Sequence, residues 1–311
     1  MISDGAGLTG SLLIWALWIV VAAATWATNA RTPLHLLFAV SDAGIRAGAG
    51  RALILLGWPV GLAAIALVAI ALDRLLVGSS SARFRRTVVA LSGLSVALCA
   101  TIAFAIDPDH LDAKPVNVPA AVGVGIAFGL TLLALAMTGR GHDPPFTRAD
   151  LFWALPFLVL LFGALPWVFA NLGFYVGDVP GLHAIFMSKQ VVPEAGHPHL
   201  VSVHLGNHDG LDGLLLSLCA VLLMRSVDQM RRLRTATRIY LALLFVYGLA
   251  LAVSDWWYEQ LVKRGTLNVR IPSPMFPSLS LQWLAIVAVG ALVYLLELRI
   301  SSARQPRPGR R

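Results

Sequence analysis

The sequence predicts an all-α membrane protein, a single bundle of about eight transmembrane helices with both termini in the cytoplasm. Of its 311 residues, 58% are hydrophobic and only 13% are charged, and the mean hydropathy is +0.76. Soluble domains carry about 25% charged residues. A chain of this composition is therefore expected to lie in lipid, and we expect a multi-pass protein of the cell membrane.

Eight apolar runs are long enough to cross a hydrocarbon core of about 30 Å, which takes roughly 20 helical residues. The connections between them are short, which predicts one helical domain over residues 1–298. The remaining residues, 299–311, are rich in arginine and proline and predict a disordered basic tail. The runs are residues 12–29, 52–72, 87–106, 119–138, 151–174, 204–224, 239–255 and 279–298.

The distribution of lysine and arginine predicts the orientation. Basic residues are twice as frequent in the loops 73–86, 139–150 and 225–238 and in the tail as on the opposite side. Because positive loops stay in the cytoplasm, this bias places both termini there. Seven of the eight histidines then fall on the outer, non-cytoplasmic side.

The formal net charge of +8 arises mainly from segments that flank the membrane. Basic segments next to a bilayer attract anionic lipid headgroups, so membrane lipids are the expected partners and nucleic acid is not. No protein partner can be inferred from these features.

The segment 30–51 predicts a short helix in the membrane interface or a re-entrant piece, ended by Gly44, Gly48 and Gly50 before the second span. Pro59, inside that span, predicts a kink because proline lacks the backbone N–H of a helical turn.

The chemically richest stretch is residues 203–213, Val-His-Leu-Gly-Asn-His-Asp-Gly-Leu-Asp-Gly. Residues 210–225 alone rise roughly 24 Å as a helix, so the sixth span is expected to begin near His204. In such a helix His204, His208 and Asp212 share one face, four residues apart. Two histidines and a carboxylate suit zinc, iron, manganese or copper.

The outer loop 176–203 leads directly into this stretch, and loops longer than about 15 residues are commonly functional. His197 and His199 are candidates for further metal ligands, and His183 is a candidate for contact with substrate. A general base is needed beside a metal-bound water, and Asp209 or Glu194 could serve.

Three polar residues near the outer ends of neighbouring spans complete the predicted site. Asn171 needs a hydrogen-bond partner because a lone amide is costly in an apolar helix, so it either packs against another helix or lines a polar pocket. Asp255 and Glu259 lie among aromatic residues at the same boundary and are predicted to line a substrate site or a path.

These features predict a metal-dependent membrane enzyme, a hydrolase or an oxidoreductase, with an outward-facing site. Its substrate is expected to be a small molecule or a lipid-linked compound that enters from the membrane. The alternative is a transporter or a metal-handling or assembly protein. The histidine stretch itself has two simpler interpretations: a polar network without metal, or a capped helix start. The motifs assign the chain to no known family.

Overall fold

The computed structural model describes residues 7–37, 40–79, 81–101, 114–141, 150–175, 179–182, 186, 189–191, 201–205 and 208–302. Within these ranges the chain forms nine α-helices and short 3-10 segments, with no strand beyond an isolated bridge between Val191 and Val201. The all-α prediction is confirmed for this part of the chain. The candidate site residues His183, Glu194, His197 and His199 lie outside it.

The nine helices are named in chain order, and a π-helical turn (Tyr258–Val262) continues the eighth. They are α1 (Thr9–Arg31), α2 (Ile45–Gly57), α3 (Pro59–Gly78), α4 (Ala82–Ala100), α5 (Val118–Thr138), α6 (Asp150–Asn171), α7 (Asp209–Val227), α8 (Arg234–Trp257) and α9 (Leu281–Ser302).

Seven helical segments of the described chain are long and apolar enough to cross a membrane, counting α2 and α3 as one bent segment. The chain is therefore a multi-pass membrane protein by its helix lengths and composition. The predicted span 87–106 corresponds to α4, which is not among the seven. Its first five residues include Arg83, Arg85 and Arg86, and the described helix ends at Ala100.

The predicted breaks in the segment 30–51 are wrong at two of three glycines. Gly44 does precede α2, with a φ of +63°, but Gly48 and Gly50 lie inside the helix. A Cβ on Gly48 would lie 2.4 Å from the carbonyl oxygen of Trp26 in α1, so this glycine lets the two helices touch. The helix is interrupted at Trp58, and Pro59, where a kink is predicted, is the first residue of α3.

The core of the bundle is formed by α3, α7 and α8. In α7, 78% of the apolar stretch is buried within the protein, against 17% in α9. The peripheral helices instead present exposed apolar side chains such as Val159 and Leu284. That distribution fits lipid on the outside, since a lipid-facing helix satisfies its backbone internally and needs no polar surface.

Hydrogen bonds identify the two ends of the bundle. At one end the backbone N–H of Leu8, before α1, donates to the carbonyl of Arg140, after α5, over 2.8 Å. Arg238 at the start of α8 lies 3.7 Å from Glu297 near the end of α9. We call this the basic end, and the opposite end, with His208 and Asp255, the site end. The beginning of α1 and the end of α9 thus lie at the same end.

Two predicted boundaries differ from the observed helices. The sixth span was expected from His204, but α7 begins at Asp209 and continues to Val227. Its 19 residues rise about 28 Å, which is enough for a span without the residues before Asp209. The last helix, α9, runs to Ser302, past the predicted end at 298, and residues 303–311 are outside the described chain.

Candidate functional site

A close crossing of α7 and α8 brings the site together. A Cβ on Gly213 would lie 2.4 Å from the carbonyl oxygen of Gly248, and one on Gly248 would lie 2.5 Å from that of Gly213. Only glycine fits at both positions, because any side chain would force the two backbones apart. The start of α7 is thereby held against the last turns of α8.

Asp255 of α8 caps the first turn of α7. Its Oδ2 atom accepts a hydrogen bond of 2.8 Å from the backbone N–H of Gly210. The first N–H groups of a helix lack partners within it and carry partial positive charge, so a carboxylate is well placed there. His208 precedes the helix in an extended conformation, with φ −121° and ψ 146°.

Three charged residues follow one another along α8 and its π-helical turn. Asp255, Glu259 and Lys263 are spaced four apart, so they share one face. The ammonium group of Lys263 lies 2.8 Å from Oε1 of Glu259, and their side chains are only 6% and 4% exposed. π-helical turns of this kind occur frequently at functional sites.

The imidazole of His208 is held in one tautomer. Burial lowers its pKa to about 3, so the ring is neutral at ordinary pH. Its Nε2 lies 3.0 Å from the carbonyl oxygen of His204 and must donate to it. The unprotonated Nδ1 then faces Oδ2 of Asp255 at 3.8 Å. A lone pair and a carboxylate oxygen thus point toward each other in a buried position.

His208, Asp255 and Glu259 form a group that could hold a metal ion. Each offers one ligand atom, and the three atoms lie within 4.8 Å of one another. One imidazole nitrogen and two carboxylate oxygens suit zinc, iron or manganese. Histidine ligands usually donate their other N–H to a carbonyl or carboxylate, which is the bond that His208 makes to His204.

The charges around this group favour a cation. The described acids near it are Asp209, Asp212, Asp255 and Glu259, while Arg51 and Lys263 are the cations whose charges act on His208. If every acid is ionised, this described part of the site carries two more negative than positive charges. A divalent cation would balance that excess, which is costly to leave in a buried position.

His204 does not join the metal-binding group found among the described residues. Its ring stacks on that of His208, with centroids 4.0 Å apart and planes inclined by 18°. Stacked rings direct their nitrogen lone pairs in two parallel planes rather than at one point. Burial and the neighbouring His208 hold the pKa of His204 well below its usual value. The predicted helical spacing does not apply, because His204, Leu205 and His208 lie outside the helix that begins at Asp209.

The other predicted residues occupy different positions. Asp212 is buried within the first turn of α7, where its charge acts on Arg51. Asn171 contacts α1: its Oδ1 accepts from Thr25 at 2.9 Å and its carbonyl from Thr28 at 2.7 Å. Asp209 is the first residue of α7, directly after His208.

Sequence reasoning missed three residues of the site. Lys263 could have been predicted from the sequence, because Asp255, Glu259 and Lys263 are four residues apart. His204, His208 and Asp212 have the same spacing. Arg51 reaches the site from α2, and nothing in the sequence links it to α7. Trp167 of α6 lies against His208 with ring centroids 6.4 Å apart, and a Cβ on Gly210 would lie 2.5 Å from its ring.

A lateral groove of about 390 Å³ lies beside the site, between α6 and α8. Trp167 and Gln260 lie on its wall nearest the candidate ligands. Its lining includes exposed apolar side chains such as Val159, 75% exposed, and Phe162, 61% exposed, so the groove opens on the outer surface of the bundle. The groove therefore connects the surroundings of the bundle with the neighbourhood of His208.

No protein-family model matches this chain. No curated protein and no solved structure matches it either.

Proposed function

We propose that this chain is a cell-membrane enzyme in which His208, Asp255 and Glu259 hold a divalent metal ion for the hydrolysis of a lipid or lipid-linked substrate. The observation that supports it most is the 3.8 Å approach of His208 Nδ1 to Asp255 Oδ2. With Nε2 donating to His204, that nitrogen has a lone pair and no proton. A cation between the two atoms turns a repulsive contact into two favourable ones.

The simpler interpretation of Asp255, a helix cap, explains only part of the arrangement. Capping accounts for the bond to the N–H of Gly210. It does not account for Glu259, whose carboxylate is brought within 4.8 Å of the same ligand atoms. A buried carboxylate, a half-buried carboxylate and an imidazole meet at one point, and Lys263 contacts Glu259. A divalent cation would stabilise the group further, because buried charges are costly unless they are paired.

A divalent ion at this point would polarise a carbonyl or phosphoryl oxygen and lower the pKa of a water molecule to about 7. In the hydrolysis we propose, Asp209 would act as general base and accept a proton from the attacking water as its oxygen adds to the substrate. Asp209 then returns the proton to the leaving oxygen as its bond to the acyl or phosphoryl centre breaks. Arg51 and Lys263 stabilise the negative charge that develops between the two steps.

Transport is less well supported by the packing below the site. A path inward along α7 and α8 would pass the crossing of Gly213 and Gly248, where the backbones touch. Asn171, a predicted path residue, makes its hydrogen bonds to α1. This packing favours a site approached from one side.

Metal content tests the proposal. The purified chain would be incubated with zinc, manganese, iron or cobalt, dialysed, and examined by elemental analysis. We expect about one ion per chain for one of these metals, and a loss of that ion in Glu259→Gln. The matched control is Glu297→Gln, the same change in a buried carboxylate at the basic end, which should keep the ion. Absence of metal from the wild type under all four conditions, or full occupancy in Glu259→Gln, would refute the proposal.

A further inference from the structure

The lateral groove contains buried polar groups that the proposed metal site does not use. The side chain of Gln260 lines the groove and is only 5% exposed. Neither its amide nitrogen nor its amide oxygen has a hydrogen-bond partner in the described chain. The indole N–H of Trp167, 1% exposed and on the same groove, is likewise without a partner among the residues that the structure describes. Such groups are costly at membrane depth unless a ligand satisfies them.

The polarity of the groove changes in a fixed order along α8 and the turn that follows it. Ala252, Val253 and Trp256 form the apolar part, Gln260 follows, and Arg264 comes one helical turn later. Burial lowers the pKa of the Arg264 guanidinium, so this cation is already partly withdrawn from water. An apolar stretch, an amide and a cation are thus arranged from the membrane interior toward its surface.

A glycerophospholipid presents complementary groups in the same order. Its acyl chain is apolar, its ester carbonyl accepts hydrogen bonds, and its phosphate is an anion at the headgroup level. The amide of Gln260 and the indole of Trp167 can both donate to an ester carbonyl. A guanidinium binds phosphate with two parallel hydrogen bonds.

We infer that the groove between α6 and α8 binds an anionic phospholipid, with one acyl chain against Val253 and Trp256, the ester at Gln260 and the phosphate at Arg264. The inference that an anionic phospholipid binds here depends only on the groove. That this lipid is the substrate rests on the proposed function: Trp167 contacts both the groove and His208, and Gln260 follows Glu259 directly. A bound ester would then lie next to the candidate metal ligands.

Two variants separate the acyl part of the groove from its headgroup part. At Gly163 of α6 a Cβ meets only the indole of Trp256, at 3.6 Å, so Gly163→Leu extends its side chain into the groove without a backbone clash. Arg264→Gln removes the cation and keeps a polar side chain. The matched control is Gly129→Leu on α5, where a Cβ would have nothing within 4 Å.

The experiment measures lipid retention by native mass spectrometry of the purified protein in detergent, with phosphatidylglycerol or phosphatidylcholine added in equal amounts. We expect the wild type and Gly129→Leu to retain phosphatidylglycerol about five- to tenfold better than phosphatidylcholine, as one basic contact allows. Arg264→Gln should lose that preference while retaining lipid. Gly163→Leu should lose retention of both lipids.

Equal retention of the two lipids by the wild type would overturn the inference, as would unchanged retention in Gly163→Leu. The latter result would also be obtained if another segment of this chain filled the groove. Metal content, measured on the same preparations, separates this inference from the proposed function. If the metal is bound and phosphatidylglycerol is not preferred, only the lipid inference fails. If the lipid is preferred and no metal binds, the proposed function fails and the lipid site remains.

Discussion

The two ends of the bundle bury charged residues in different ways. At the basic end the carboxylate of Asp73 accepts hydrogen bonds from the backbone N–H groups of Arg231 and Arg232, at 2.9 to 3.2 Å. Arg238 pairs with Asp228 there. At the site end the nitrogen of His208 instead faces the carboxylate of Asp255. The contacts named at the basic end join donors to acceptors, while the site end also contains one contact between two acceptors.

This difference shows why a buried charge in a membrane protein is not by itself a sign of function. Asp73 and Asp228 at the basic end are bound by N–H groups and by a cation of the chain, and they join helix ends to one another. At the site end Lys263 and the N–H of Gly210 satisfy Glu259 and Asp255 in part, but Nδ1 of His208 and Oδ2 of Asp255 face each other as two acceptors, and this contact is where we propose an additional positive charge. Substitutions at the two ends should therefore have different effects.

The largest effect is expected from His208→Ala, which removes the only nitrogen ligand of the proposed group. Metal affinity should fall by more than about 100-fold, beyond the 10- to 100-fold typical of losing an outer hydrogen-bond partner. Titration with zinc or cobalt, followed by calorimetry, measures it. His35→Ala, at an exposed histidine outside the site, is the control and should bind as the wild type does. Equal metal affinity in His208→Ala and His35→Ala would show that His208 is not a metal ligand.

Asp73→Ala, at the basic end, is expected to destabilise the protein without changing its metal content. It leaves the N–H groups of Arg231 and Arg232 without their acceptor, at a cost of about 3 kcal/mol. Thermal unfolding in detergent should show a lower midpoint, while metal content stays at the wild-type level. Arg83→Ala, an exposed change at the same end, should alter neither. Loss of the metal in Asp73→Ala would mean that the two ends are not independent.

Two substitutions at Asp255 separate its roles as cap and as ligand. Asparagine keeps an oxygen that can accept from Gly210, so Asp255→Asn should retain stability and lose about tenfold or more in metal affinity. Alanine removes the cap as well, and Asp255→Ala should additionally lose about 1 kcal/mol of stability. Unfolding midpoints and metal titrations on both variants provide the comparison. Wild-type metal affinity in Asp255→Asn would assign this residue to capping alone.

The smallest effect is expected from Lys263→Met, which removes the cation beside Glu259. A neighbouring ammonium competes with a metal ion for the carboxylate, so affinity should rise by about fivefold. Lys263→Arg keeps the charge and should leave the affinity unchanged. A lower affinity in Lys263→Met would show that Lys263 positions Glu259 rather than competing for it.

The fold was largely predictable because membrane helices are encoded locally. Apolar length alone predicted the seven segments, while the predicted third span, 87–106, extends beyond the part of the chain that the structure describes. The start of α7 was not predictable in this way. It is fixed by Asp255, which caps the helix from α8, 45 residues away in sequence.

The candidate site could be predicted only in part, since tertiary contacts decide which residues converge. The histidine stretch was correctly recognised as lying at a helix start, but its ligand spacing assumed a helix from His204. Asp255 and Glu259 were predicted to line a substrate site or a path. They are also four residues apart, and unlike His204 and His208 they do lie on a helix. The crossing at Gly213 and Gly248, which brings them to His208, has no signal in a single sequence beyond two glycines.

The most direct test of the central claim is X-ray absorption spectroscopy at the zinc edge of the zinc-loaded protein. We expect nitrogen and oxygen ligands at about 2.0 to 2.2 Å, without sulfur, and outer-shell scattering from a single imidazole. This result would match His208 with two carboxylates. Scattering from two or more imidazoles, or a shell made of water alone, would contradict the assignment of His208, Asp255 and Glu259 as the metal site.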